Sequence, residues 1–107
     1  MKRQVPEQLL KELKQELATI YSCRIRAVYL FGSYARQEQD AESDLDILII
    51  LNDIDTYSAE IERTSEMISR LSLKSGITIS RTFVREAEWK LYDSPLLRNI
   101  RKESLAV

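Results

Sequence analysis

The sequence predicts a small α/β domain in which a mixed β-sheet is flanked by helices. Some segments carry apolar residues at helical spacing, others are continuously apolar or alternate, and turn-forming residues separate them. The resulting order is α-β-(α)-β-α-β-α-α, without repeats or low-complexity tracts. A length of 107 residues suits one domain, 1–107, with a modest core.

Three elements are expected in the first half of the chain. Pro6 stands where helices often begin, and leucines recur behind it at helical spacing, which predicts an amphipathic helix over residues 6–21. The apolar run Ile25–Phe31 predicts a buried strand that stops at Gly32-Ser33. A second buried strand is expected over Leu45–Leu51.

The second half predicts a long helix, a strand and two shorter helices. The long helix begins near Thr56 and stops at Gly76. Its expected buried face comprises Tyr57, Ile61, Thr64, Ile68 and Leu71. Residues 77–84 alternate as a third strand, and residues 86–92 form a short helix. Ser94-Pro95 resembles a helix cap and first position, with the last helix running to residue 102.

Composition excludes several kinds of chemistry. The chain has no histidine, so it cannot form a Ser-His-Asp triad or a His-ligated zinc site. Cys23 is the single cysteine, which excludes an internal disulfide, and we expect it to be a small buried apolar residue. Carboxylates are the strong metal ligands that remain, and they favour a hard cation.

Charge and hydropathy give no sign of a membrane or nucleic-acid partner. The net charge is −1, and Met1-Lys2-Arg3-Gln4 does not lead into a signal-peptide-like apolar run. The longest apolar run, Ile47–Leu51, is far shorter than the ~20 residues of a membrane-spanning helix. We expect a cytoplasmic protein, and the pattern leaves its oligomeric state, including a homo-oligomer, open.

Two short motifs carry the candidate chemistry. Asp44 and Asp46 are two apart on a predicted strand, so they project from one face, roughly 7 Å apart at the backbone. Two like charges side by side are costly unless a cation or solvent compensates them. Gly32-Ser33 precedes residues 33–37, which are compatible with a short helix. A glycine there lets a phosphate approach the backbone, while helix amides and the Ser33 hydroxyl offer donors.

Each motif also has a plainer interpretation. A Gly-Ser pair after a strand is most often a turn, and an Asp-x-Asp at a strand edge is usually solvated. The joint order of strand, turn, ten-residue spacer and strand is much rarer. One half suits a metal and the other suits a triphosphate, which favours phosphoryl or nucleotidyl transfer.

These motifs resemble a known family signature. Leu30-Phe31-Gly32-Ser33-Tyr34-Ala35-Arg36, followed by Ser43-Asp44-Leu45-Asp46-Ile47-Leu48, resembles that of DNA polymerase β-like nucleotidyltransferases, and most of all the short minimal nucleotidyltransferases. The resemblance implies the nucleotidyltransferase fold and transfer of a nucleoside monophosphate, AMP from ATP, onto an acceptor hydroxyl. It implies that the catalytic Asp44 and Asp46 bind Mg²⁺, and that Gly32 and Ser33 hold the β- and γ-phosphates.

The resemblance also implies a partner. Many prokaryotic minimal nucleotidyltransferases are encoded beside HEPN-domain proteins as antitoxins. A domain of this size lacks its own acceptor platform, so the expected acceptor is a tyrosine hydroxyl of a HEPN toxin. The toxin role does not suit this chain, because the HEPN ribonuclease motif requires histidine. Transfer to a small molecule such as an aminoglycoside is disfavoured by the chain length.

One departure from the family pattern leaves two functions open. Active members usually carry a third carboxylate on the strand after the long helix, here residues 77–84. The polar positions of that strand are Thr78, Ser80, Arg81 and Thr82. A hydroxyl is a poor Mg²⁺ ligand or base. Other acids that the fold could bring in are Asp40, Glu42, Glu86 and Glu88. The chain is therefore an AMP-transferring enzyme or a catalytically degenerate antitoxin that neutralises a HEPN toxin by forming a complex.

Several further residues keep alternative roles. Arg36 is a candidate nucleotide-binding residue, with a solvated or salt-bridged arginine as the alternative. Tyr34 is expected to pack rather than to stack on a base. Scattered surface charge is expected of Lys74, Arg81 and Arg85. Near the C-terminus, a core role and an exposed partner-binding patch both remain open for Trp89, Tyr92, Leu96, Leu97 and Ile100.

Overall fold

The protein, described by a computed structural model over residues 6–107, is a four-stranded mixed sheet with helices on both faces. The elements in chain order are α1 (Glu7–Tyr21), a 3₁₀ turn (Ser22–Arg24), β1 (Ile25–Phe31), β2 (Leu45–Leu51), α2 (Tyr57–Ser75), β3 (Ile79–Arg85), α3 (Glu86–Leu91), α4 (Pro95–Glu103) and β4 (Leu105–Ala106). The strand order is β3-β2-β1-β4. β2 is antiparallel to β1 and parallel to β3, and β4 pairs antiparallel with β1. The α/β fold class with a small mixed sheet is confirmed.

The central strand β2 explains the layered core. Its odd-numbered residues pack with α1 and α2 in one apolar cluster, whereas Leu48 and Ile50 pack with Leu97 and Ile100 of α4 in a second. A strand covered on both faces must be apolar at nearly every position, as Leu45–Leu51 is. Asp46 is the exception, and with Asp44 it continues the face of Leu48 beyond the helical cover.

Most predicted elements form with nearly the expected bounds. β1 and β2 have the bounds that the sequence predicts, and α4 begins after Ser94, whose hydroxyl accepts from the Leu97 amide at 3.1 Å. β3 begins at Ile79 rather than Ile77, and β4 was not predicted. Two residues are too short a segment to show strand periodicity, and β4 forms because β1 offers an edge for it.

The predicted buried face of α2 is wrong at its first turn. Tyr57 and Ile61 are 41% and 40% exposed, whereas Glu60 is 3% exposed. The Glu60 carboxylate accepts hydrogen bonds from Tyr21 at 2.9 Å, Arg24 at 3.2 Å and Arg63. Burial raises the pKa of Glu60, but these three donors outweigh burial and hold it below its usual value. A charged residue thus takes the core position because polar partners surround it.

The other predictions about burial concern Cys23 and the residues near the C-terminus. Cys23 is exposed, against the prediction, because it lies in the 3₁₀ turn that projects between α1 and β1. Near the C-terminus Leu97 and Ile100 are buried and Trp89 stacks on Tyr29, whereas Tyr92 and Leu96 are exposed. The core role therefore applies to Leu97 and Ile100, and the exposed Tyr92 and Leu96 leave the partner-binding patch a prediction. Across residues 6–107, no helix is long and apolar enough to cross a membrane.

Removing the Glu60 carboxylate should destabilise the fold. Glu60→Ala leaves the buried Tyr21 hydroxyl and two arginines without their shared acceptor, which should cost about 1–3 kcal/mol of unfolding free energy. Urea denaturation at neutral pH measures the change. Glu62→Ala, an exposed acid on the same helix, is the matched control and should have little effect. Equal stabilities of the two variants would contradict the role given to Glu60.

Candidate functional site

Gly32 brings the two predicted motifs into direct contact. It follows β1 with a φ of +75°, a left-handed conformation that favours glycine. A Cβ at this position would lie 2.3 Å from Asp46 Oδ2 and 3.1 Å from its Cγ. The register explains the proximity, since Phe31 and Asp46 are paired across the antiparallel strands. Gly32 is therefore required by the Asp46 carboxylate that rests against its backbone.

The segment after Gly32 is a turn rather than the short helix considered for residues 33–37. The Arg36 amide donates to the Gly32 carbonyl at 3.1 Å, and the Glu38 amide donates to the Ser33 carbonyl at 2.9 Å. Gln37 has a φ of 59°, which breaks helical geometry. We call residues 32–38 the Gly-Ser turn. It has no helix dipole to offer a phosphate, so any phosphate there would depend on local donors.

The two aspartates share a face of β2 but differ in environment. Asp44 precedes the strand and is exposed, whereas Asp46 lies within it and is half-buried. Burial raises the pKa of Asp46, the neighbouring charge of Asp44 raises it further, and the charge of Arg36 opposes both. The pair is thus a place where a cation would relieve repulsion.

Strand register identifies the residue beside the aspartates on β3. Ser80 pairs with Asp46 in the parallel ladder, and the Thr78 carbonyl accepts from the Leu45 amide at 2.8 Å. Residues that are paired in register on neighbouring strands project from the same face of the sheet. The exposed Ser80 hydroxyl therefore borders the acid pair. Within the described part of the chain, no group of three or more acids or cysteines is placed to hold a metal.

Three of the four other candidate acids are engaged elsewhere. Asp40 Oδ1 accepts from the Glu42 amide and the Ser43 hydroxyl within the spacer, at 2.9 and 3.3 Å. Glu86 pairs with Arg26 and Lys90, and Glu88 accepts from Tyr57. The sequence left these acids open as replacements for a third carboxylate, and the fold gives Asp40, Glu86 and Glu88 structural contacts instead.

Arg36 is salt-bridged, which is one of the two roles expected for it. Its Nε donates to Glu38 at 3.1 Å, and its Nη1 donates to both oxygens of Glu103 at 3.1 and 3.2 Å. The guanidinium still lies near enough to Asp46 to lower the pKa of that carboxyl. The contact with Glu103 was not foreseen, because no local motif indicates a contact 67 residues apart.

The remaining predicted residues have structural environments. Tyr34 is fully buried, as expected for packing, and its hydroxyl has no hydrogen-bond partner among the described residues. Lys74 pairs with Glu12, Arg81 donates to Thr64, and Arg85 donates to the Ile54 carbonyl. These three cations make separate intramolecular contacts, in keeping with scattered surface charge.

The fold and the neighbouring turn and acid pair define the class of nucleotidyltransferase-like α/β domains. The chain belongs to the polymerase β nucleotidyltransferase family, whose family model matches residues 7–94. A candidate protein adenylyltransferase of Methanocaldococcus jannaschii is 41% identical over 68% of this chain and 73% of its own length. Protein adenylyltransferase MntA of Thermococcus cleftensis is 32% identical over 75% of this chain and 87% of its own length.

Solved structures support the same fold. A toxin–antitoxin complex with AMP-PNP contains a chain that superposes with a TM-score of 0.63 at 18% identity, covering 90% of this chain and 69% of that one. The Shewanella oneidensis MNT antitoxin complex with a tri-AMPylated HEPN toxin contains another, with a TM-score of 0.53 at 19% identity, covering 92% and 70%. At these identities the likeness establishes the fold alone.

Neutralising Asp46 should stabilise the metal-free protein. Because its pKa is raised, the folded state holds this proton more tightly than the unfolded chain does. The carboxyl therefore favours folding at acidic pH and loses that contribution as the pH rises through its folded-state pKa. We expect Asp46→Asn to melt a few degrees higher than the parent at neutral pH with a chelator present, with the difference shrinking toward the ordinary aspartate pKa of about 3.9.

Circular dichroism melts over a pH series measure this difference. Asp55→Asn, a change at an exposed acid in the loop before α2, is the control and should leave the melting temperature unchanged. A less stable Asp46→Asn protein at neutral pH would mean that contacts to the carboxylate outweigh its burial and the repulsion from Asp44.

Proposed function

We propose that this protein transfers AMP from ATP onto a hydroxyl of a protein partner. The observation that carries the proposal is the contact between Gly32 and Asp46, because it joins the Gly-Ser turn to the acid pair at one end of the sheet. Membership of the nucleotidyltransferase family and relatives named as protein adenylyltransferases support the reaction class.

The acid pair fits a divalent cation. Asp44 and Asp46 present oxygen ligands on one face, and the raised pKa of Asp46 indicates a carboxylate that a cation would stabilise. We propose that these two residues hold Mg²⁺, which when bound would neutralise phosphate charge. ATP carries a charge of about −4 near neutral pH, so the two carboxylates would repel it unless a cation lay between them.

The Gly-Ser turn supplies the phosphate side of the proposed site. Gly32 exposes backbone without a side chain, and Ser33 adds a hydroxyl donor for the β- and γ-phosphates. Arg36 contributes positive charge near Asp46. In the reaction the acceptor oxygen bonds to the α-phosphorus, the bond to the pyrophosphate oxygen breaks, and the hydroxyl proton passes to water. Positioning and charge neutralisation account for most catalysis of this kind.

We propose that the acceptor is a HEPN-domain toxin and that this protein is its antitoxin. Two structurally similar complexes support the partner: a toxin–antitoxin complex with AMP-PNP and an AMPylated HEPN toxin with an MNT antitoxin. The surface beside the acids is open, because Ser80 of β3 and Thr78 just before the strand are exposed, so a partner side chain has access there. The second candidate function, neutralisation by binding alone, is favoured by Ser80, where an acid would complete the metal site.

ATP binding should depend on the metal and on both motifs. Ser33→Ala should weaken ATP binding by about 1–2 kcal/mol, the loss of one hydrogen bond to a charged group. Gly32→Val should be worse, since its Cβ displaces the Asp46 carboxylate. Asp46→Asn should remove the Mg²⁺ dependence. Calorimetry with and without Mg²⁺ measures each affinity, and Ser58→Ala on α2 is the matched control for Ser33→Ala. Metal-independent affinity that is equal in all variants would remove these residues from the site.

Transfer should be slow in the parent and faster with a third acid. Because Ser80 is in register with Asp46, Ser80→Asp places a carboxylate beside the pair. We expect labelling of a cognate HEPN protein by radiolabelled ATP to accelerate in this variant. Thr82→Asp, in register with Leu48 instead, is the control and should give no gain.

The outcomes separate the two functions. Rapid labelling by the parent that is lost in Asp46→Asn would show that two carboxylates suffice. No labelling by the parent or by Ser80→Asp, with toxin inhibition that survives Asp46→Asn, would establish neutralisation by binding and overturn the transferase.

A further inference from the structure

Arg36 ties the Gly-Ser turn to the end of α4. Its guanidinium bonds Glu38 within the turn and both carboxylate oxygens of Glu103, the last residue of α4. One nitrogen, Nη1, donates to both oxygens of Glu103, and hydrogen bonds between charged groups are stronger than neutral ones. The turn is thereby linked to an element 67 residues away in sequence.

The same two turn residues also close the turn through the backbone. The Arg36 and Glu38 amides donate to the carbonyls of Gly32 and Ser33. Glu103 therefore holds the side chain of Arg36, whose amide donates to Gly32, and Arg36 in turn holds Glu38, whose amide donates to Ser33. No regular helix supports this segment, so its conformation rests on these bonds and on the buried Tyr34 ring.

Glu103 is carried by a firmly anchored element. The N-terminus of α4 is capped by Ser94, and Leu97 and Ile100 are buried against the sheet. After Glu103 the chain returns to the sheet as β4, which pairs with Tyr29 and Leu30 shortly before Gly32. Because the chain is anchored both before and after Glu103, the Glu103 side chain can fix the position of Arg36.

We propose that Glu103 is a positioning residue for the nucleotide: through Arg36 it holds the Gly-Ser turn in the conformation that receives the triphosphate. Glu103 itself touches no phosphate. The inference rests on the proposed function for its ligand, but the effect of Glu103 on the turn does not depend on any ligand. Losing this contact would loosen the donors of the turn before ATP arrives, so affinity would fall while the Mg²⁺ ligands remained intact.

The test compares Glu103→Gln with a control of the same design. Arg70 also bridges two glutamates, Glu16 of α1 and Glu66 of α2, on the opposite side of the sheet from α4. Glu16→Gln therefore removes an arginine contact between elements away from the turn. Arg36 and Glu103 are 42% and 27% exposed, so Glu103→Gln should still fold. Calorimetry measures Mg²⁺–ATP affinity, and amide hydrogen exchange measures protection of residues 33–38.

For Glu103→Gln we expect about three- to tenfold weaker ATP binding and faster exchange in the turn, with Glu16→Gln unchanged in both. Glu103→Asp, which keeps the charge, should recover part of the affinity. Unchanged or tighter ATP binding together with unchanged exchange would overturn the inference. If the parent binds no ATP, the proposed function fails, and the exchange measurement alone decides whether Glu103 positions the turn.

Discussion

The burial of β2 on both faces is the constraint on which the rest of the structure depends. Helices cover each side of the sheet, so every residue from Ile47 to Leu51 must be apolar. Polar chemistry can enter this strand only at its beginning, where the helical cover ends. Asp44 and Asp46 occupy that position, and the left-handed Gly32 leaves the space that the second carboxylate needs. The position of the acid pair is thus set by the point where the helical cover of β2 ends, as much as by the Asp-x-Asp motif.

This arrangement places an electrostatic cost on the folded state at one carboxylate. Asp46 is half-buried beside a second negative charge. The positive charge of Arg36 compensates this in part, but Arg36 also pairs with Glu38 and Glu103. A fold under selection for stability alone would favour a neutral residue here. Natural proteins commonly accept such a cost where a charged group serves a ligand. The strain that the acids introduce is what a cation would remove.

The sequence predicted the elements well wherever the deciding information was local. β1 and β2 have their predicted bounds because each is a continuous apolar run ended by turn residues. The predictions were wrong where distant contacts decide: Glu60 is buried because Tyr21 and two arginines converge on it, and Cys23 is exposed by a projecting turn. At the candidate site, Gly32 and the aspartates were found from their pattern. Ser80 was one of the polar positions that the sequence offered on the third strand, and the strand register selected it. Glu103 required the tertiary fold, since no short-range signal marks it.

The antiparallel pairing of β1 with β2 has a consequence for how the site assembles. Phe31 and Asp46 pair across a connection short enough that its loop-closure entropy is small. Both motifs therefore lie in one contiguous hairpin-like unit. The parallel strand β3, in contrast, is connected to β2 through the whole of α2 and can pair only once that crossover is made. Low contact order should let this unit form early in folding. A circular permutant opened between α3 and α4 would keep it whole, while new termini within residues 37–43 would divide it.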